Sequence, residues 1–197
     1  MKIRFLGTSF GAPAVGRHQQ SILLETESGN AYLVDAGAPV LDILVNAGYD
    51  LTKLKAVFIT HLHGDHMYGL FPLLSTLGLY GRRTPLRIYA PRPFGEMLEC
   101  FLRLCESNLP YTPEWIEVDT TKHRIIFEND PTEVWSLPLR HRVPTSGFLF
   151  RQKEPPINVS KFAIERYGLS LAQIVAAKRG EDITLDSGEI VANEKIT

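Results

Sequence analysis

The chain has 197 residues, 44% of them hydrophobic, and a formal net charge of −1. That length favours one domain with a sizeable core, and the near-neutral balance means any RNA contact must come from local basic patches. No apolar run reaches membrane-spanning length, so no membrane partner is expected.

Met1-Lys2-Ile3-Arg4-Phe5-Leu6 reads as a strand, too short and too soon interrupted by Gly7 to be a signal peptide. A Gly/Pro loop follows to Pro13. Gln20–Glu25 and Asn30–Val34 flank a turn and predict a hairpin, whose second strand runs into Asp35-Ala36-Gly37. Pro39 opens a helix to about Asn46, which Gly48 stops. Leu54-Lys55-Ala56-Val57-Phe58-Ile59 is the apolar run of a buried strand, and Met67–Leu79 reads as a helix. Arg87–Ala90 is a short strand. Phe94–Glu106 is amphipathic, with Phe94, Met97, Leu98, Phe101, Leu102 and Cys105 on one stripe read as core. Cys100 and Cys105 share that helix, which is no disulfide framework and fits a reducing cytoplasm. Four strand-like runs follow at Trp115–Val118, Arg124–Phe127, Glu133–Leu137 and Gly147–Arg151. Pro155-Pro156 marks a break. Beyond it lie helical runs Val159–Tyr167 and Ser170–Lys178 and a hairpin over Asp182–Val191. Strand–helix units followed by runs of strands predict an α/β fold with two sheets and helices outside.

The strand ending at Ile59 delivers Thr60-His61-Leu62-His63-Gly64-Asp65-His66. His61 and His63, two apart in an extended segment, point to one side and can reach one ion at about 2.0–2.1 Å. Gly64 allows a tight turn, so Asp65 and His66 can aim at a second position. Imidazole and carboxylate ligands without thiolates suit zinc, with manganese or iron as alternatives. Two ions about 3.5–4 Å apart clamp the oxygens of a displacement, and zinc brings the pKa of bound water to near 7. A lone histidine is more often structural than a ligand. Four ligand-type residues in six positions after a buried strand are hard to explain as packing.

His141, in Leu137-Pro138-Leu139-Arg140-His141-Arg142-Val143-Pro144, is on sequence alone either a ligand or an exposed loop histidine. Arg140 and Arg142 flank it and are the best candidates for phosphate contacts. Arg82-Arg83, Arg151 with Lys153, and Lys178-Arg179 are weaker ones, each as readily an ordinary solvated face. His18, in Gly16-Arg17-His18-Gln19-Gln20, is the lesser candidate for a substrate contact. His123 reads as a solvated turn residue.

The motif HxHxDH is the signature of the metallo-β-lactamase superfamily, and THLHGDH followed by Tyr68-Gly69-Leu70 resembles its ribonuclease Z branch. Phe5-Leu6-Gly7-Thr8, Val34-Asp35-Ala36-Gly37 and Gly147-Phe148 match that family's pattern as well, so the resemblance runs from Met1 to the end of the chain. It implies an αββα sandwich in one domain over residues 1–197, with 155–192 as a candidate arm. It implies one zinc on His61, His63 and His141 and another on Asp65 and His66, with Asp65 also the proton acceptor. Asp35 would be structural, bonding loop backbone. The implied activity is a cytoplasmic, homodimeric endonuclease that removes the 3′ trailer of precursor tRNA.

Three departures stand against this. The family's later bridging aspartate and final histidine are absent, and the chain is expected to lack the C-terminal part of the fold. Such a chain would hold one zinc or none, show impaired activity and expose apolar sheet edges. Asp119-Thr120 precedes His141 and is in the wrong order, and Asp182 and Asp186 read as hairpin residues. Ala38-Pro39-Val40-Leu41 replaces the usual acidic residue and glutamine after Asp35. Gly168-Leu169-Ser170 stands where the arm's Gly-Pro is expected. These departures keep open a phosphodiesterase acting on a small molecule such as a cyclic nucleotide, or a non-catalytic fragment.

Overall fold

A computed structural model describes residues 1–12, 15–106, 108–153 and 157–197. The chain divides into two compact units, Met1–Lys153 and Glu154–Thr197. The expected Pro155-Pro156 break lies outside the described residues.

The first unit carries a six-stranded sheet in the order β1 (Lys2–Gly7), β2 (Ser21–Glu25), β3 (Ala31–Val34), β4 (Leu54–Phe58), β5 (Leu86–Ala90), β6 (Pro113–Glu117). The first three strands pair antiparallel, and β3 to β6 pair parallel. Parallel strands are covered on both faces, and β4 obeys this: Ala56, Val57 and Phe58 are all fully buried. Alternation sorts their side chains. Leu33, Val57 and Ile88 face one layer, with α1 (Val40–Asn46), α3 (Leu70–Leu79) and α4 (Phe94–Leu104). Tyr32, Phe58 and Tyr89 face the other.

That second layer is a three-stranded antiparallel sheet of β7 (Arg124–Glu128), β8 (Thr132–Leu139) and β9 (Thr145–Gln152). The two sheets meet over an aromatic cluster. The Phe58 ring stacks on Tyr89 at 4.7 Å and meets Phe148 at 5.4 Å and Phe150 at 5.1 Å. Burying each such ring contributes on the order of 2 kcal/mol. The result is the helix–sheet–sheet succession of the metallo-β-lactamase αββα sandwich. Ile3 and Phe5 stand opposite Leu24 and Ile22 in the register of β1 and β2 and so share their face. They remain 56% and 68% exposed.

Two expectations are corrected. Met67–Leu79 is not one helix: α2 (Gly64–Met67) and α3 are separated at Gly69. There the backbone crosses the Asp35–Gly37 loop so closely that a Cβ would lie 2.1 Å from the Gly37 carbonyl oxygen. On α4, Phe94, Leu98, Phe101 and Leu102 pack inward as expected. Met97 and Cys105 are exposed, because the face that meets the sheet is narrower than the sequence stripe.

The second unit has α5 (Lys161–Tyr167), α6 (Leu171–Ala177) and a hairpin of β10 (Ile183–Thr184) and β11 (Ile190–Val191). Gly168, at φ 61, closes α5 in the left-handed conformation, and Ser170 with Gln173 forms a capping box on α6. Ala163, Leu169, Ala177, Ile183, Val191 and Ile196 make a core of its own. The region read as an arm falls here from Ile157 onward. Among the described residues, no helix is long and apolar enough to cross a membrane.

Candidate metal centre

Ligands of open α/β sheets gather at the carboxyl ends of parallel strands. Asp35 leaves β3 and Thr60 leaves β4 at that edge. Asp35 is buried, at 2% exposure, and has φ 57, a left-handed conformation that aspartate tolerates better than most residues. Its carboxylate accepts from the Thr60 backbone N–H at 2.8 Å, as expected of a structural aspartate. It also accepts from the Thr60 hydroxyl at 2.9–3.0 Å and from His66 Nδ1 at 2.7 Å. Ala36 N–H donates to the His66 carbonyl, so the two loops are sewn together by backbone as well.

His61, His63 and His141 come together, each offering a ring nitrogen within 4.8 Å of the others. His61 Nε2 and His63 Nδ1 stand 3.0 Å apart. Two ligands on a tetrahedral zinc at 2.0–2.1 Å are separated by about 3.3 Å, so these atoms converge as a pair sharing one ion does. Three imidazoles without a thiolate fit zinc. His66 and Asp65 lie beside them: the His61 and His66 rings are 4.0 Å apart, and His66 Nε2 is 3.6 Å from Asp65 Oδ2.

The electrostatics differ ring by ring. Burial, with the neighbouring His66, His63 and His141, lowers the His61 pKa to about 4, which keeps it neutral and able to coordinate at pH 7. Burial also opposes charge on His66. The hydrogen bond and charge of Asp35, with Asp65, outweigh this and raise its pKa above the ordinary value.

Gly64 does not serve a tight turn, because it opens α2 without a positive φ. Its missing side chain instead leaves room for the exposed Tyr68 ring, whose Cε2 would lie 2.1 Å from a Cβ at that position. Gly11 borders the site: a Cβ there would lie 3.6 Å from Asp65 Cγ. The neighbouring loop is braced by Gln19, which donates to the Gly11 carbonyl and accepts from Ala38 N–H. His18 is exposed, and its carbonyl accepts from Ser9 N–H.

Arg140 and Arg142 are exposed beside His141 and, among the described residues, make no ion pair. Arg82, Arg151 and Lys153 fare worse. Arg82 is buried, its guanidinium donating to the carbonyls of Leu54, Thr84 and Pro85, so it is a structural clamp. Arg151 pairs with Glu133 and Lys153 with Glu128. Asp119 bonds Thr121 and Lys122 in its own turn, and Asp182 accepts from Asn193 N–H. His123 is exposed, beside the Trp135 ring.

The sequence reading missed Thr60, whose hydroxyl touches both Asp35 and His61. The signal was a hydroxyl residue directly before the first histidine. It also missed the direct bond from Asp35 to His66, since nothing in a linear spacing reports that a turn 31 residues upstream reaches that ring.

The family model described as Anti-Pycsar protein Apyc1 matches residues 1–152. Ribonuclease Z of Porphyromonas gingivalis is 31% identical over 195 residues, covering 99% of this chain and 64% of that protein. Ribonuclease Z of Bacteroides fragilis is 30% identical over 196 residues, with 100% and 64% covered. The chain thus spans just under two thirds of the length of these curated relatives. Among solved structures, the short form of human tRNase Z is 26% identical with a TM-score of 0.68, covering 77% of this chain and 65% of that one. A metallo-β-lactamase fold protein of Bacillus subtilis is 23% identical with a TM-score of 0.58, covering 76% and 56%.

Proposed function

This chain belongs to the Apyc1 family, has the metallo-β-lactamase fold and is homologous along its length to ribonuclease Z, and from that premise we propose that it is a zinc-dependent phosphodiesterase of ribonuclease Z type. The observation that carries this is the convergence of His61, His63 and His141 at the carboxyl edge of the parallel strands. The substrate is the 3′ trailer junction of precursor tRNA, the partner is a second copy of the chain, and the compartment is the cytoplasm.

In this reading His61, His63 and His141 hold one zinc, and Asp65 and His66 offer the second position. Zinc, when bound, supplies Lewis acidity toward a phosphoryl oxygen and activates water at neutral pH. Manganese or iron suits the same donors less well. Asp65 orients the nucleophile and takes its proton. Arg140 and Arg142 receive the phosphates, and His18 is a lesser contact. The second unit acts as the arm that docks the RNA. Among the given residues, Asp65 and His66 are the ones offered to the second ion.

A second reading is favoured by one observation. Where the arm's Gly-Pro is expected, Gly168 caps a helix and Leu169 is buried in the second unit's core. A phosphodiesterase with that arm acts on a small diester such as a cyclic nucleotide.

Zinc content of the purified chain, and cleavage of a labelled precursor tRNA beside hydrolysis of a cyclic nucleotide, decide between them. Cleavage of the trailer supports the leading reading. Hydrolysis of the cyclic nucleotide with intact tRNA replaces it with the second. His63→Ala is expected to remove bound zinc; unchanged zinc content refutes the site.

A further inference from the structure

Thr60 stands between a carboxylate and a metal-binding ring, and the proton count across the three groups has one solution. Asp35, as an ionised carboxylate, only accepts hydrogen bonds. The Thr60 hydroxyl lies 3.0 and 2.9 Å from its two oxygens and 2.9 Å from His61 Nδ1. A hydroxyl has one proton, and were it turned to His61 the oxygen would face both carboxylate oxygens lone pair to lone pair at 2.9–3.0 Å, so the proton goes to Asp35. The oxygen therefore turns a lone pair toward His61, whose Nδ1 must carry a hydrogen. A neutral imidazole protonated on Nδ1 is bare on Nε2, and His61 Nε2 is the atom that faces His63. The same carboxylate accepts from His66 Nδ1, leaving His66 Nε2 toward Asp65.

We propose that Thr60 is a positioning residue for the metal: its hydroxyl, committed as a donor to Asp35, fixes His61 in the Nδ1–H tautomer and so aims the Nε2 lone pair at the site shared with His63 and His141. This rests on the metal-centre reading above and adds a role to a side chain that coordinates nothing. Asp35 is then one acceptor setting two rings, His66 directly and His61 through Thr60. The device matters most for His61 because it is buried at 6% exposure, while His63 is half-buried and His141 exposed. Water can replace a missing acceptor at the latter two rings. At His61 it cannot, so without the hydroxyl a hydrogen on Nδ1 is left without an acceptor and the opposite tautomer gains.

The test compares wild type, Thr60→Val and Thr60→Ser by zinc competition against a chromophoric chelator, with thermal unfolding as a control for folding. Nitrogen-15 spectra of histidine-labelled, zinc-loaded wild type report the tautomer directly. Thr60→Val keeps the shape and the backbone N–H to Asp35, and is expected to bind zinc about 10–100-fold more weakly. Thr60→Ser restores the hydroxyl and is expected to return affinity to within a few-fold of wild type. The His61 signals are expected to show hydrogen on Nδ1 and metal on Nε2. Thr60→Val binding zinc as tightly as wild type, Thr60→Ser binding as weakly as Thr60→Val, or His61 carrying its hydrogen on Nε2, each overturns the proposal. Wild type binding no zinc at all refutes the metal centre itself and is distinguishable from those results. Should Thr60→Val fail to fold, the serine variant and the wild-type spectra still decide.

Discussion

Two loops deliver the three convergent histidines, and they are built in opposite ways. The loop after β4 is over-determined: His61 is buried, Thr60 and His66 are tied to Asp35, and Ala36 and Gly69 bond across it. The loop between β8 and β9 leaves His141 exposed between two exposed arginines. Its anchor is one residue pair further on, where Ser146 N–H donates to the Thr60 carbonyl. Half of the histidine cluster is thus organised by the fold, and in the proposed metal site the other half would bring its ligand to that fixed half. A carboxylate that receives three donors removes the conformational cost of ordering them at binding. An exposed loop histidine retains that cost.

The largest expected break in this contrast is Asp35→Ala. It orphans buried donors at about 1–3 kcal/mol each and places alanine in a left-handed conformation that costs about 1–2 kcal/mol more. Unfolding by denaturant should show a loss of several kcal/mol together with loss of zinc, and a loss of zinc without destabilisation would separate the two roles. Next is pH. In the metal-free chain His61 takes a proton only near pH 4, whereas in the unfolded chain it does so near 6.5. Above 6.5 neither state binds that proton. Between about 6.5 and 4 the unfolded state binds it preferentially, so stability declines as pH falls. His66 is shifted the other way; its contribution is present at low pH and is lost as pH rises through its folded value. Denaturant midpoints across pH 4–7 should fall more steeply toward acid in wild type than in His61→Ala. The smallest effect on folding belongs to His141→Ala, which should leave metal-free stability within about 0.5 kcal/mol while weakening zinc binding. Destabilisation beyond that range would mean this loop is as built-in as the first.

The sandwich was legible because its strands are punctuated. Alternation and apolar runs placed every strand of the first unit to within a few residues, and Gly48 marked a helix end that the structure retains. The pairing of His61 with His63 was legible through their spacing; the residues alone left His141 open between ligand and exposed loop histidine, and only the family resemblance set it beside them. What the sequence hid was set by approach between distant segments. Gly69 reads as a helix residue until the Gly37 carbonyl is placed against it. Arg82 reads as half of a basic pair until three carbonyls surround it. Thr60 reads as the last residue of a strand until Asp35 turns back beneath it.

The left-handed backbone of Asp35 bears on how this gene tolerates single-base errors. Asparagine and glycine are each one nucleotide from aspartate, and both are at ease at φ 57. Neither supplies an ionised acceptor to the Thr60 hydroxyl and the His66 ring. Glycine would orphan the same buried donors as alanine and lose stability with the site, whereas asparagine keeps one acceptor oxygen and would hold more of the fold while weakening the site, a change that a screen scoring only expression would record as permissive.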